Sequence, residues 1–138
     1  MGSSVFRNPP LTMDPLSQIA PALGEDTLRS LVHSFYKRVR TDDLLGPMYP
    51  HDDWDGAEQR LANFLIYRFG GSPAYLQERG HPRLRARHLP FTIGTKERDR
   101  WLQLMGDSLQ ETRVPAEQSV QMTAFFEQVA DAMRNQPD

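Results

Sequence analysis

The apolar positions of this chain recur mostly at intervals of three and four residues, the spacing that lines one side of an α-helix. Between residues 26 and 40 they fall at Leu28, Leu31, Val32, Phe35, Tyr36 and Val39, which makes this the clearest helix of the sequence. Thr41-Asp42-Asp43 offers oxygens that cap a short turn through Leu45. The Gly46-Pro47 and Tyr49-Pro50 steps then stop helical continuation and force a corner. A second helix is predicted from about Asp53, whose carboxylate suits the orphan N–H groups of a first turn. It turns Ala57, Leu61, Phe64, Leu65 and Phe69 inward and stops at Gly70-Gly71.

Residues 74–79 suit one short turn. Beyond them Arg83, Arg85 and Arg87 alternate with Leu84, Ala86 and His88, a period-two pattern. Pro82 nevertheless favours a helical first turn, and an isolated strand has no partner elsewhere in the sequence, so a helix ending near His88 is expected. Thr95 is expected to cap a third long helix bearing Trp101, Leu102, Met105 and Leu109. Pro115 is expected as the first residue of a fourth, bearing Val120, Phe125, Val129 and Met133. The predicted fold is all-α. Residues 1–14 carry Gly, Ser and a Pro9-Pro10 pair without helical period and are expected to form a flexible extension, leaving 15–138 as the folded domain.

Composition narrows the chemistry. With 138 residues, 38% of them hydrophobic, the chain matches one ordinary domain, large enough to enclose a ligand cavity. It contains no Cys, so disulfides, thiolate metal sites, iron–sulfur clusters and thiol nucleophiles are excluded. A net charge of −2 argues against a nucleic-acid partner, and no apolar run approaches the roughly 18 residues of a membrane helix. A cytoplasmic location is expected.

Four histidines are available: His33, His51, His81 and His88. No two have the i,i+4 spacing of a zinc site, so spacing alone gives no metal centre. His88 stands apart because Leu89-Pro90-Phe91 follows it, an apolar stretch that suits a single axial ligand. Arg79, Arg83, Arg85 and Arg87 make a local positive field free of carboxylates, which fits either a solvated face or an anion-docking site. Tyr36 lies on the apolar stripe of its helix, so its hydroxyl must find a partner indoors, as must the Trp101 indole if buried. The commoner fate of such groups is a backbone carbonyl; the functional alternative is a small polar ligand in a cavity.

Several runs together point further: Phe35-Tyr36, Met48-Tyr49-Pro50, Gly56-Ala57-Glu58, Phe69-Gly70-Gly71, Arg79-Gly80-His81-Pro82-Arg83-Leu84-Arg85, Arg87-His88-Leu89-Pro90-Phe91 and Glu97-Arg98-Asp99-Arg100-Trp101. In this order the sequence resembles the bacterial truncated haemoglobins of group II, the O type, over about residues 17 to 135. The resemblance implies a two-over-two helical sandwich around haem b, with His88 as proximal iron ligand. It implies Arg87, Arg60, Tyr75 and His81 as contacts of the haem propionates, and Phe91 as a further haem-pocket residue. Tyr36, Tyr49 and Trp101 match the distal positions, Leu61 supplies an apolar wall, and Ala57 stands where many globins place His or Gln. The chain departs from the family at Leu23-Gly24, where a Gly-Gly pair is usual.

The implied function is binding of O2, and of NO and CO, at a five-coordinate iron, with the distal donors slowing O2 release. Candidate activities are NO oxidation and peroxidase-like turnover of peroxide, with a reductase as candidate partner. The alternative is a helical interaction module without haem, using the Arg-rich face. No oligomeric state follows from the residues.

Overall fold

The structure is a computed structural model that describes residues 14–73 and 93–134. The turn at 74–79, the helix expected to end at His88 and the extension before Asp14 lie outside the described residues. Among the described residues there are five α-helices and no strand: α1 (Ile19–Leu23), α2 (Glu25–Val39), α3 (Trp54–Arg68), α4 (Thr95–Glu111) and α5 (Ala116–Met133).

Helix α2 turns inward every apolar residue its period predicted, Leu28, Leu31, Val32, Phe35, Tyr36 and Val39, all of them buried. It packs on α3 and α4, and α4 packs on α5, so one helix pair lies across the other as a two-over-two sandwich. Aromatic rings join the layers. Phe35 of α2 meets Trp101 of α4 at 5.0 Å between centroids, and Phe69, just past α3, meets Phe125 of α5 at 5.3 Å.

The first corner is turned by Gly24 alone, at a positive φ of 87°, and Leu23 before it stays in α1. One glycine is enough here because only one residue adopts the left-handed backbone. At the end of α3, Gly70 (φ 95°) sends its N–H to the Tyr67 carbonyl and Gly71 sends its own to that of Ile66, a Schellman ending. A Cβ on Gly70 would lie 1.9 Å from the Ser17 carbonyl oxygen, so the segment leading into α1 docks directly against this turn. The docking is reinforced by Ala20 N–H donating to the Phe69 carbonyl at 2.8 Å and by Arg68 donating to Asp14 at 2.6 Å.

Three helix starts differ from their expected form. Asp53 precedes α3, but its carboxylate accepts from Arg60 at 3.0 Å rather than from first-turn N–H groups. The residue that caps α4 is Gly94, whose N–H donates to Glu97 at 2.7 Å; Thr95 is already helical, and its hydroxyl accepts from Arg134. Pro115 caps α5, which starts at Ala116. In each case a side chain far along the sequence competes for the cap oxygen, or one residue of register separates cap from first turn.

Helix α5 also corrects one expected core position. Val120 is 70% exposed, whereas Met122, Phe125, Phe126 and Ala130 are buried. The inward stripe runs through Met122, Phe126, Val129 and Met133, and Val120 stands two residues before it, about 200° around the helix.

Candidate functional site

The two helix pairs enclose a cavity of about 410 Å3, within the size range of small-molecule sites. Leu61, Phe64, Ile93, Phe125, Val129 and Met133 make much of its wall apolar, while Tyr36, Tyr49 and Trp101 supply polar atoms. Ala57 and Leu61 lie one helical turn apart on α3, so a small and a branched side chain share that wall. Arg60 and Arg98 also border the space.

The three aromatic donors arrive by different routes. Tyr36 comes from the inward face of α2 and Trp101 from α4, whereas Tyr49 follows the single turn Gly46–Met48 in the corner between α2 and α3. Burial pushes the Tyr36 hydroxyl well above the ordinary phenol range, and the neighbouring Tyr49 adds to the shift. Burial also raises Tyr49, partly offset by hydrogen bonds from Tyr36 and Trp101. Both phenols therefore keep their protons at neutral pH.

The Tyr36 and Tyr49 rings meet at 5.5 Å between centroids, and both residues border the same cavity as Trp101, so two phenols and one indole converge on one space.

The corner that carries Tyr49 is itself pinned from α4. Asp42 Oδ2 accepts the N–H groups of Leu44 and Leu45 at 3.1 and 2.9 Å, as the sequence predicts for a capped turn. Its other oxygen accepts from Arg100 at 2.6 Å. Burial would push the Asp42 carboxyl up, but these bonds outweigh it and hold the group below its usual value.

The structure brings together Tyr36, Tyr49, Trp101, Ala57, Leu61 and Arg60 around one cavity. Arg60 is 41% exposed and shares its guanidinium with Asp53. His88, Arg87, Tyr75, His81 and Phe91 lie outside the described residues. Sequence reasoning missed Trp54. Its ring lies 5.6 Å from that of Tyr49 and 6.3 Å from that of Tyr36, yet it stands at the first position of α3, where helical period carries no inward signal. The signal available was the clustering of Tyr49, His51 and Trp54 within six residues of a corner.

A helical sandwich with an apolar slot bordered by phenol and indole donors fits a globin. A sequence model of the bacterial-like globin family matches residues 21–135. The group 2 truncated haemoglobin YjbI of Bacillus subtilis is 39% identical over 117 residues, covering 85% of this chain and 88% of that protein. Among solved structures, a thermostable haemoglobin from the actinobacterium Thermobifida fusca superposes with a TM-score of 0.83 at 42% identity, over 87% of this chain and 98% of that one. A truncated oxygen-avid haemoglobin from Bacillus subtilis superposes with a TM-score of 0.80 at 38% identity, over 84% of this chain and 98% of that one. The chain belongs to the bacterial-like globin family and, within it, to the group II truncated haemoglobins.

Haem b is accordingly its cofactor, and diatomic gases such as O2 are its ligands. The residues present fit that group. The apolar wall suits a flat macrocycle, the guanidiniums of Arg60 and Arg98 suit carboxylates at its edge, and the donors suit a small polarised ligand over its face. Among the described residues no helix is long and apolar enough to cross a membrane.

Proposed function

We propose that this globin holds O2 tightly, with His88 as the residue that would bind the iron of haem b and Tyr36, Tyr49 and Trp101 as a distal hydrogen-bonding unit. Haem would supply the iron that takes the gas and gives it partial negative charge. The chain's own residues then do three things. Leu61 and the phenylalanines exclude water, Ala57 leaves room without offering a competing donor, and the Tyr49 hydroxyl presents a proton to the charged ligand atom. Tyr36 and Trp101 border the same space and bring further donors beside the Tyr49 hydroxyl.

The single observation that carries this reading is the convergence of Tyr36, Tyr49 and Trp101 on one largely apolar cavity. The similar truncated haemoglobin from Bacillus subtilis is oxygen-avid, which supports it. Arg60 is proposed as a propionate contact together with Arg87, Tyr75 and His81, and Phe91 as a further wall of the haem pocket. The domain is proposed to span 15–138 and to work in the cytoplasm.

The same donors favour any anionic diatomic or peroxide fragment, because they are fixed in place before charge develops. NO and CO are proposed as further ligands. Oxidation of NO and peroxidase-like turnover of peroxide are proposed activities, with a reductase to regenerate ferrous iron.

The test is O2 dissociation measured by stopped flow on Tyr36→Phe, Tyr49→Phe and Trp101→Phe. A charge-assisted hydrogen bond of about 1.5 to 3 kcal/mol corresponds to about 10- to 150-fold faster escape, with Tyr49→Phe the largest. Unchanged rates in all three remove the distal mechanism. His88→Ala should lose the five-coordinate ferrous spectrum, and a retained spectrum refutes the axial assignment.

A further inference from the structure

We infer that Trp54 is a positioning residue for Tyr49: its indole fixes the phenol ring that presents a proton to the bound gas, without itself reaching the cavity. The inference rests on the proposed distal role of Tyr49. Trp54 is absent from the cavity wall, which includes Tyr36, Tyr49 and Trp101, so any influence on the ligand must pass through a neighbour.

Tyr49 needs such a neighbour more than the other donors do. Tyr36 and Trp101 sit in the middle of helices of 15 and 17 residues, where the backbone ladder and an apolar face fix the Cα–Cβ direction. Tyr49 has extended backbone (φ −112°, ψ 144°) after a three-residue turn, tied locally by its N–H to the Gly46 carbonyl at 3.2 Å. Where its ring points is therefore decided by what packs on it. Tyr36 meets it with ring planes at 88° and centroids 5.5 Å apart. Trp54 covers it at only 30° from parallel.

Trp54 is well placed to act as a fixed surface. It opens α3, and the preceding Asp53 is tied to Arg60 one helical turn and more ahead. On the solvent side the Arg40 guanidinium lies 5.6 Å from its ring centroid, with the His51 ring 5.5 Å away at 76°. A cation over an indole is a favourable contact, so the ring is held by groups from α2's end, the corner and α3 together. Loss of the indole frees the Tyr49 ring to rotate about its Cα–Cβ bond, and the ligand then meets a mixture of bonded and unbonded populations.

The experiment compares Trp54→Ala, Tyr49→Phe and the double variant, as haem-loaded proteins. Trp54→Ala is expected to speed O2 release about tenfold, and to add nothing in the Tyr49→Phe background, because both changes remove one interaction. The infrared C–O stretch of the CO complex should split from one band into two. In ring-labelled tyrosine NMR of that complex, the Tyr49 signals should collapse to fast-flipping averages. Trp54→Phe, which keeps a flat face, should restore native rate, band and signals; Trp54→Leu replaces Trp54→Ala if the latter does not fold.

Native behaviour in Trp54→Ala beside a fast Tyr49→Phe overturns the inference and leaves the role of Tyr49 standing. Equal acceleration by Trp54→Ala with and without Tyr49 also overturns it, since the effect then bypasses the phenol. An unchanged rate in Tyr49→Phe removes both the inference and the reading on which it rests.

Discussion

Tyr36 and Trp101 reach the cavity from long helices sealed together by Phe35, which is fully buried and touches both aromatic rings. Tyr49 reaches it from residues 41–53, where the backbone makes single turns and the anchors are a carboxylate, a guanidinium and one indole. The first region is held by area removed from water, which is insensitive to pH and distributed over many residues. The second is held by a few directional contacts, each of which matters to the position of one hydroxyl. A donor that must be aimed with precision is thus placed on the segment with the fewest restraints, and tertiary contacts substitute for a helical ladder.

The contrast is broken most severely at its apolar side. Phe35→Ala removes a fully buried ring between α2 and α4 and is expected to destabilise the fold by about 3–5 kcal/mol in urea unfolding. If the change costs under about 1 kcal/mol, the interface is not the stabilising element described.

Asp42→Ala tests the corner. It leaves two backbone N–H groups without their acceptor and Arg100 with Asp43 alone, in a place where only 9% of the Asp42 side chain is exposed. The expected loss is about 1–3 kcal/mol, smaller than for Phe35→Ala, but with faster O2 release because Tyr49 loses its frame. The corner substitution should therefore change gas kinetics more per unit of stability lost, and the reverse ranking refutes the contrast. Because the Asp42 carboxyl is held below its unfolded value, its contribution is present above that value and disappears as pH falls through the folded one.

The smallest effect belongs to Glu111, at the far end of α4. It accepts from Ser34, from Arg38 at 2.6 Å and from Lys37 at 3.2 Å, and these bonds lower its carboxyl from 4.5 to about 2. A lowered carboxylate stabilises the fold above its unfolded pKa, and that contribution fades between pH 4.5 and about 2. Glu111→Gln should lower neutral-pH stability slightly, since the pairs are exposed, and flatten the acid limb of a stability–pH curve over that interval by the same amount. An acid limb identical to the native one excludes Glu111 from the acid response.

What the sequence determined by itself is the four long helices among the described residues and, for α2 and α3, the faces they bury; the short α1 was not predicted. An inward stripe is a local property: residues three and four apart share a side whatever the helix packs against. The Schellman ending at Gly70 and the capped turn at Asp42 were legible for the same reason, because each partner lies within five residues. Val120 was misread where the stripe of α5 begins, since a pattern at a helix end has too few repeats to fix its phase.

Tertiary structure alone decided which polar groups meet. Thr95 turned to Arg134, Asp42 to Arg100 and Ser34 to Glu111. Family likeness pointed to Tyr36, Tyr49 and Trp101, but not to Trp54 behind them. Hydrogen bonds and ring contacts depend on angles and tenths of an ångström between elements far apart in sequence, and no local periodicity encodes those distances.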